Sequence, residues 1–377
     1  MQKASFFYNM PTFLKILILI GLKYLPSLLA SGQADSAKVL VISLNAQVYY
    51  GTIFAHSEIV QNTSGANPRG FSMAYTWQRL DREVIDLCNC YPRKGIVASV
   101  FDFDNEILGK GITAGWMLEP NYPLSESLML RVQGIAGLAW LSNPYDSVKN
   151  SSNKSYSTAV SAWLSLGLGF SYAINKQWQV EVMGYFQHTS NGGMRQPNKG
   201  INMPGASVGI TFIPDPKPFY KGERSKEKTW KEKPFEKELT VFATAKRYLN
   251  ENGSSSRLPI AGLQFQWLKQ VRRINSLGLG IEGYLDDFTR ARLHQEDRKS
   301  ESAIRFGLFG GHAFDLGRFG FAQQVGVYLL NPAGYDPGWF HRWGLHYDIN
   351  KQFRAGFNLK AHLHVADFID FRMAYRW

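Results

Sequence analysis

Long runs of two-residue alternation dominate this chain, and few folds accommodate them. In "TAVSAWLSLGLGFSY", Val160, Ala162, Leu164, Leu166, Leu168, Phe170 and Tyr172 fall on one face. Ser161, Trp163, Ser165, Gly167, Gly169 and Ser171 fall on the other. A period of two belongs to a β-strand, whose successive side chains point to opposite sides. In "AGLQFQW", Ala261, Leu263, Phe265 and Trp267 oppose Gly262, Gln264 and Gln266, and at the C-terminus Ile369, Phe371, Met373, Tyr375 and Trp377 oppose Asp370, Arg372, Ala374 and Arg376. A water-soluble β-sandwich also alternates, with its apolar face inward. Three features favour a wall that faces lipid instead. Many runs reach about ten residues or more, the length of a tilted membrane crossing. Aromatic residues gather toward the ends of the apolar faces, as interfacial girdles do. The chain also stops on a strand, at Tyr375-Arg376-Trp377. The expected fold is therefore all-β: an antiparallel barrel with its apolar side turned outward.

About sixteen such segments can be counted. They divide evenly around Pro214–Glu238, "PDPKPFYKGERSKEKTWKEKPFEKE", which is rich in Pro, Lys and Glu and has no periodicity. Such a stretch reads as a solvated linker. An internal echo points to duplication: "YAINKQW" (Tyr172–Trp178) returns as "YDINKQF" (Tyr347–Phe353), each before the penultimate strand of its half. The expected organisation is a repeat over 35–213, a charged linker over 214–238 and a second repeat over 239–377. Eight strands make an interior that side chains can fill, so each repeat could close alone; one merged barrel is the alternative.

The first 34 residues read as a secretory signal peptide. A lysine-containing start leads into an apolar stretch around Phe13–Leu29, then the small residues Ala30, Ser31, Gly32 and Ala34. Lys15 and Lys23 interrupt the apolar stretch, which makes it a poor spanning helix. The final strand resembles the C-terminal assembly signal of bacterial outer-membrane barrels, which implies the barrel assembly machinery as a partner. A formal net charge of +12 suits an acidic partner. Nucleic acid is not expected, because the linker mixes both signs of charge and the leader directs export. Glycine-rich "SLGLGFSY" and "LGLGIEG" lie within strands and so are not phosphate-binding loops. Cys88 and Cys90 are too few for a zinc site; they read as turn residues, or as a closely spaced disulfide. No metal and no cofactor is expected.

One strand end carries chemistry. In "WQVEVMGYFQHTSN", Val180, Val182, Gly184, Phe186, His188 and Ser190 share the apolar face. A histidine and a serine are thus aimed at lipid, where polar groups are costly. Their Cβ atoms lie roughly 6–7 Å apart, given a rise of about 3.3 Å per residue, so the side chains can meet. A serine hydroxyl needs such a base to become a nucleophile. Asn191 and the glycine amides that follow could donate to an oxyanion. The strand counts as the seventh from the N-terminus. Its end therefore faces the outer leaflet if the chain starts in the periplasm.

The stretch "HTSNGGMRQPNKGIN" resembles the H-x-S-N…P-N-x-G signature of the PagL-type lipid A 3-O-deacylases, also called acyloxyacyl hydrolases. The resemblance covers the first repeat. It implies an eight-stranded outer-membrane barrel that hydrolyses an acyl ester of lipid A in lipopolysaccharide. It also implies His188 as base, Ser190 as nucleophile, and Asn191 with the Gly193 amide as oxyanion donors. The family's glutamate, which orients the histidine, falls here on Asn202. An amide can hold an imidazole tautomer by accepting a hydrogen bond, but it cannot stabilise the imidazolium by charge. In the second repeat the positions matching His188 and Ser190 are Leu363 and Val365, so that copy cannot do the same chemistry. His362 and His364 are expected to face the interior with Lys360. His56 and Ser57, being adjacent, point to opposite faces and make no dyad. The competing reading is a non-catalytic barrel, a pore or structural protein, that keeps the motif by descent.

Overall fold

The computed structural model describes residues 40–219, 225–249, 255–363 and 365–377. The leader expected over 1–34 lies outside the described residues. Two separate eight-stranded antiparallel walls form, rather than one merged barrel. The first comprises β1 (Leu40–Gly51), β2 (Arg69–Arg79), β3 (Arg93–Asp102), β4 (Lys110–Glu119), β6 (Leu128–Leu141), β7 (Val160–Ala173), β8 (Trp178–Ser190) and β9 (Ile201–Phe212). It closes where β1 pairs with β9 and β4 with β6. The short β5 (Asn121–Pro123) folds back onto β6.

The second wall comprises β10 (Glu236–Leu249), β11 (Ser255–Arg272), β12 (Asn275–Asp286), β13 (Ile304–Leu316), β14 (Phe319–Leu330), β15 (Trp339–Asp348), β16 (Phe353–His362) and β17 (Val365–Arg376). Pairing of Glu238 with Arg376 through Ala243 with Phe371 closes it. Full closure leaves no sheet edge, which is what a strand-built structure needs in a bilayer.

The walls are inside-out relative to a soluble protein. On β7, Leu166 is 70 % exposed while Trp163 is 1 % exposed and donates to Gln187 Oε1 at 3.1 Å. Trp267, Phe353, Tyr375 and Trp377 stand outward at the end that holds the short turns. Apolar outside, polar inside and aromatic at the rim is the pattern of an outer-membrane barrel.

Charge fills both interiors. In the first barrel Arg93 and Arg131 face Glu119 and Glu181. Arg93 Nε and Arg131 Nε each donate to Glu119 Oε1 at 2.9 Å, Arg131 also binds Glu181, and Asn45 Nδ2 donates to Glu181 Oε2 at 2.7 Å. In the second, Arg342 pairs with Glu282 at 2.7 Å and Asp370 at 2.8 Å, and Lys360 Nζ reaches Glu282 at 2.6 Å. His362 is inside with Lys360, its Nε2 2.9 Å from Tyr328 Oη; His364 lies outside the described residues.

The echoed heptapeptides make the same turn. Asn175 Oδ1 accepts from the amides of Gln177 and Trp178, and Asn350 Oδ1 from those of Gln352 and Phe353. The stretch read as linker to Glu238 is strand from Glu236 onward. Glu238 faces the lumen, where Gln266 and Arg354 satisfy its carboxylate, so its charge does not mark solvent. Cys88 closes helix α1 (Arg82–Cys88), in the β2–β3 connection, and is joined to Cys90 as a disulfide.

Candidate active site

Strand β8 delivers His188 and Ser190 to the outer face at the end that carries the long connections. Val182 and Phe186 precede them on that face, 57 % and 44 % exposed, while Met183 and Gln187 are buried inside. The two side chains meet: His188 Nε2 lies 3.0 Å from Ser190 Oγ. The β8–β9 ladder supplies the next contact. His188 and Asn202 are directly paired across it, and His188 Nδ1 stands 2.6 Å from Asn202 Oδ1. An amide oxygen can only accept, so the proton sits on Nδ1. The Nε2 lone pair is then left for the serine hydroxyl. That is the tautomer a general base needs.

The loop 191–200 is braced from several sides. Asn191 N–H donates to Asn198 Oδ1 at 3.0 Å. Gly200 N–H donates to Ser155 O at 2.7 Å, and Lys199 N–H to Lys154 O at 3.0 Å. Gly200 has φ +78°, and a Cβ there would lie 2.7 Å from His188 Cε1. Its bare backbone therefore makes room for the imidazole. The asparagines and glycine of the motif hold the hairpin that holds the histidine.

The structure does not bring the two expected oxyanion donors to Ser190. Asn191 is 1 % exposed, since it alternates inward, and its Nδ2 donates to Arg195 O at 2.8 Å and Ser157 Oγ at 3.3 Å. The Gly193 amide donates to Asn191 Oδ1 at 3.1 Å. The Gly192 amide points at Ser190 Oγ instead, at 3.5 Å.

One partner of the site was missed in the sequence. His56 Nδ1 lies 2.8 Å from Asn202 Nδ2. The signal was parity: Tyr50, Thr52, Phe54 and His56 share a face, and Tyr50 is outward on β1. His56 and Ser57 form no dyad. Leu363 and Val365, which match His188 and Ser190, lie at the tight β16–β17 turn, where Leu363 has φ +52°.

Two family models match the chain. A family model described as "Lipid A 3-O-deacylase (PagL)" matches residues 111–211, which takes in β8 and all of β9 but its last residue. A second, "Acyloxyacyl hydrolase, C-terminal domain", matches residues 235–377. No curated protein matches the chain. Among solved structures, Neisserial surface protein A is similar at 11 % identity and a TM-score of 0.31, covering 46 % of this chain and 99 % of its own. A TodX monoaromatic hydrocarbon channel mutant scores 0.20 at 9 % identity, covering 91 % of this chain and 90 % of its own. Superpositions this loose leave the fold to be read from the strand ladders above. The two family models together take in β8, all of β9 but its last residue and the whole second barrel, and the chain belongs to the PagL lipid A 3-O-deacylase and acyloxyacyl hydrolase family.

Proposed function

We propose that the protein is a serine esterase of the bacterial outer membrane that removes an acyl chain from lipid A, at the 3-O-linked position. One observation carries this reading: a serine, an imidazole and an amide oxygen are joined in line on the lipid-facing side of a barrel wall. In this reading His188 takes the proton of Ser190 as Oγ attacks the acyl carbonyl. His188 then returns it to the departing sugar oxygen, and water resolves the acyl-enzyme by the same route. In this reading the oxyanion donor is the Gly192 amide, which in the resting site is directed at Ser190 Oγ and turns to the acyl oxygen once Oγ has bonded to the carbonyl carbon; the donors expected from Asn191 and Gly193 are committed to the loop. Lys154, Arg195 and Lys199 on the adjoining loops supply positive charge for lipid A phosphates. The site faces the outer leaflet, and residues 35–213 form the catalytic repeat.

The pore alternative is disfavoured by the ionic side chains that fill both interiors. The test is mass spectrometry of lipid A from cells expressing the protein or its Ser190→Ala variant. Wild type should shed one 3-hydroxyacyl chain and the variant none. Identical lipid A in both would favour the non-catalytic reading.

A further inference from the structure

The amide of Asn202 has an ambiguity that a carboxylate lacks. A carboxylate presents an acceptor whichever way it is turned. An amide presents an oxygen one way and an NH2 the other. Only the first orientation keeps the proton on His188 Nδ1. In the second, the NH2 would face Nδ1 and the proton would move to Nε2. His188 would then donate to Ser190 instead of accepting from it. A site that carries asparagine here needs something to fix the rotation of that side chain.

The group in that position is His56. The chain beyond β1 continues alongside the start of β9, with Thr52 N–H donating to Pro204 O at 3.0 Å and Phe54 N–H to Asn202 O at 2.9 Å. Ile53 is buried beneath it and donates its amide to Ala66 O at 3.1 Å. Two residues beyond Phe54, on the same outward face, His56 arrives beside Asn202. Its Nδ1 accepts from Asn202 Nδ2 at 2.8 Å while Asn202 Oδ1 accepts from His188 Nδ1 at 2.6 Å. Both ends of the amide are thereby matched, acceptor to donor.

We propose that His56 is a positioning residue. By accepting from the Asn202 amide it holds that amide oxygen toward His188, so that a neutral amide does the orienting work of an acid. The proposal rests on the reading of Ser190 as nucleophile. His56 touches neither serine nor substrate in this scheme, so its loss acts on turnover and leaves KM nearly unchanged.

The experiment measures kcat and KM of the purified full chain on lipid A in mixed detergent micelles. It compares wild type with Ser190→Ala, His56→Ala, His56→Leu and His56→Asn, each also made in an Asn202→Glu background, with folding checked by heat-modifiable gel mobility. Leucine keeps bulk without an acceptor. Asparagine places Oδ1 the same number of bonds from Cα as the histidine Nδ1. His56→Ala and His56→Leu should lose roughly five- to tenfold in kcat, the scale of one net hydrogen bond, and His56→Asn should stay within about twofold of wild type. In the Asn202→Glu background all three should be equivalent. The proposal is overturned if leucine rescues as well as asparagine, if asparagine does not rescue, or if His56→Ala is indistinguishable from wild type. Should Asn202→Glu prove inactive, the three variants in the native background decide alone. Ser190→Ala separates the two readings. Activity retained there, or none in wild type, ends the esterase reading, whereas a dead Ser190→Ala beside a normal His56→Ala ends only the role of His56.

Discussion

At the residue scale, the site depends on small groups as much as on the reacting ones. Gly200 shows this best. Its φ of +78° is the left-handed region that side chains avoid, and a Cβ would press on the His188 ring. Gly200→Ala should therefore push the imidazole off Ser190 and lower kcat by about tenfold or more, because small misplacements of a base are costly. The barrel should keep its folded, heat-modifiable mobility, since Gly200 precedes β9 rather than lying in the wall. Wild-type turnover in the variant would show that the ring position is not critical. The dyad itself was legible in the sequence, because two-residue parity alone fixes the shared outward face of His188 and Ser190. Parity also warned that Asn191, one residue on, must turn inward, and a motif read as a list of donors overlooked this. His56 could not be found from its sequence neighbour Ser57, because its partner lies across the barrel seam on β9.

At the scale of the elements, alternation told inside from outside throughout, and the register of β8 and β9 then set His188 opposite Asn202. Charge was the less readable signal. Glu236–Glu238 looked like solvated linker, yet Glu238 is a lumen residue paired with Arg354. Sequence cannot distinguish a charge in water from one neutralised by a strand more than a hundred residues away. The same pairing governs stability. Arg131 is 1 % exposed and holds both Glu119 and Glu181 across the first lumen. Replacing a buried pair wholesale can be neutral, but removing one partner leaves a charge uncompensated and costs about 3–5 kcal/mol. Arg131→Met should lower the unfolding free energy of the detergent-solubilised protein by that amount, read as a lower urea midpoint. The triple change Arg131→Met, Glu119→Gln, Glu181→Gln should recover part of the loss. An unchanged midpoint in the single variant would contradict the ion network as drawn.

At the scale of the whole molecule, each barrel closes on its own ladder, and among the described residues no strand is shared between them. The Asn-centred turns at Asn175 and Asn350 are built alike in the two barrels, while Leu363 and Val365 stand at the second-barrel positions expected from the sequence to match His188 and Ser190. A protease site placed between Lys226 and Glu232 and cleaved after assembly should yield two fragments, each retaining its own heat-modifiable shift. Collapse of either fragment would argue that the walls depend on one another. The proposed activity stands on a serine hydroxyl activated on the lipid side of the first wall. Its most direct test is release of free 3-hydroxy fatty acid from lipid A by purified wild type, Ser190→Ala and His188→Ala. Release by wild type, with both variants lowered by several orders of magnitude, is the predicted result; equal release by Ser190→Ala would contradict it.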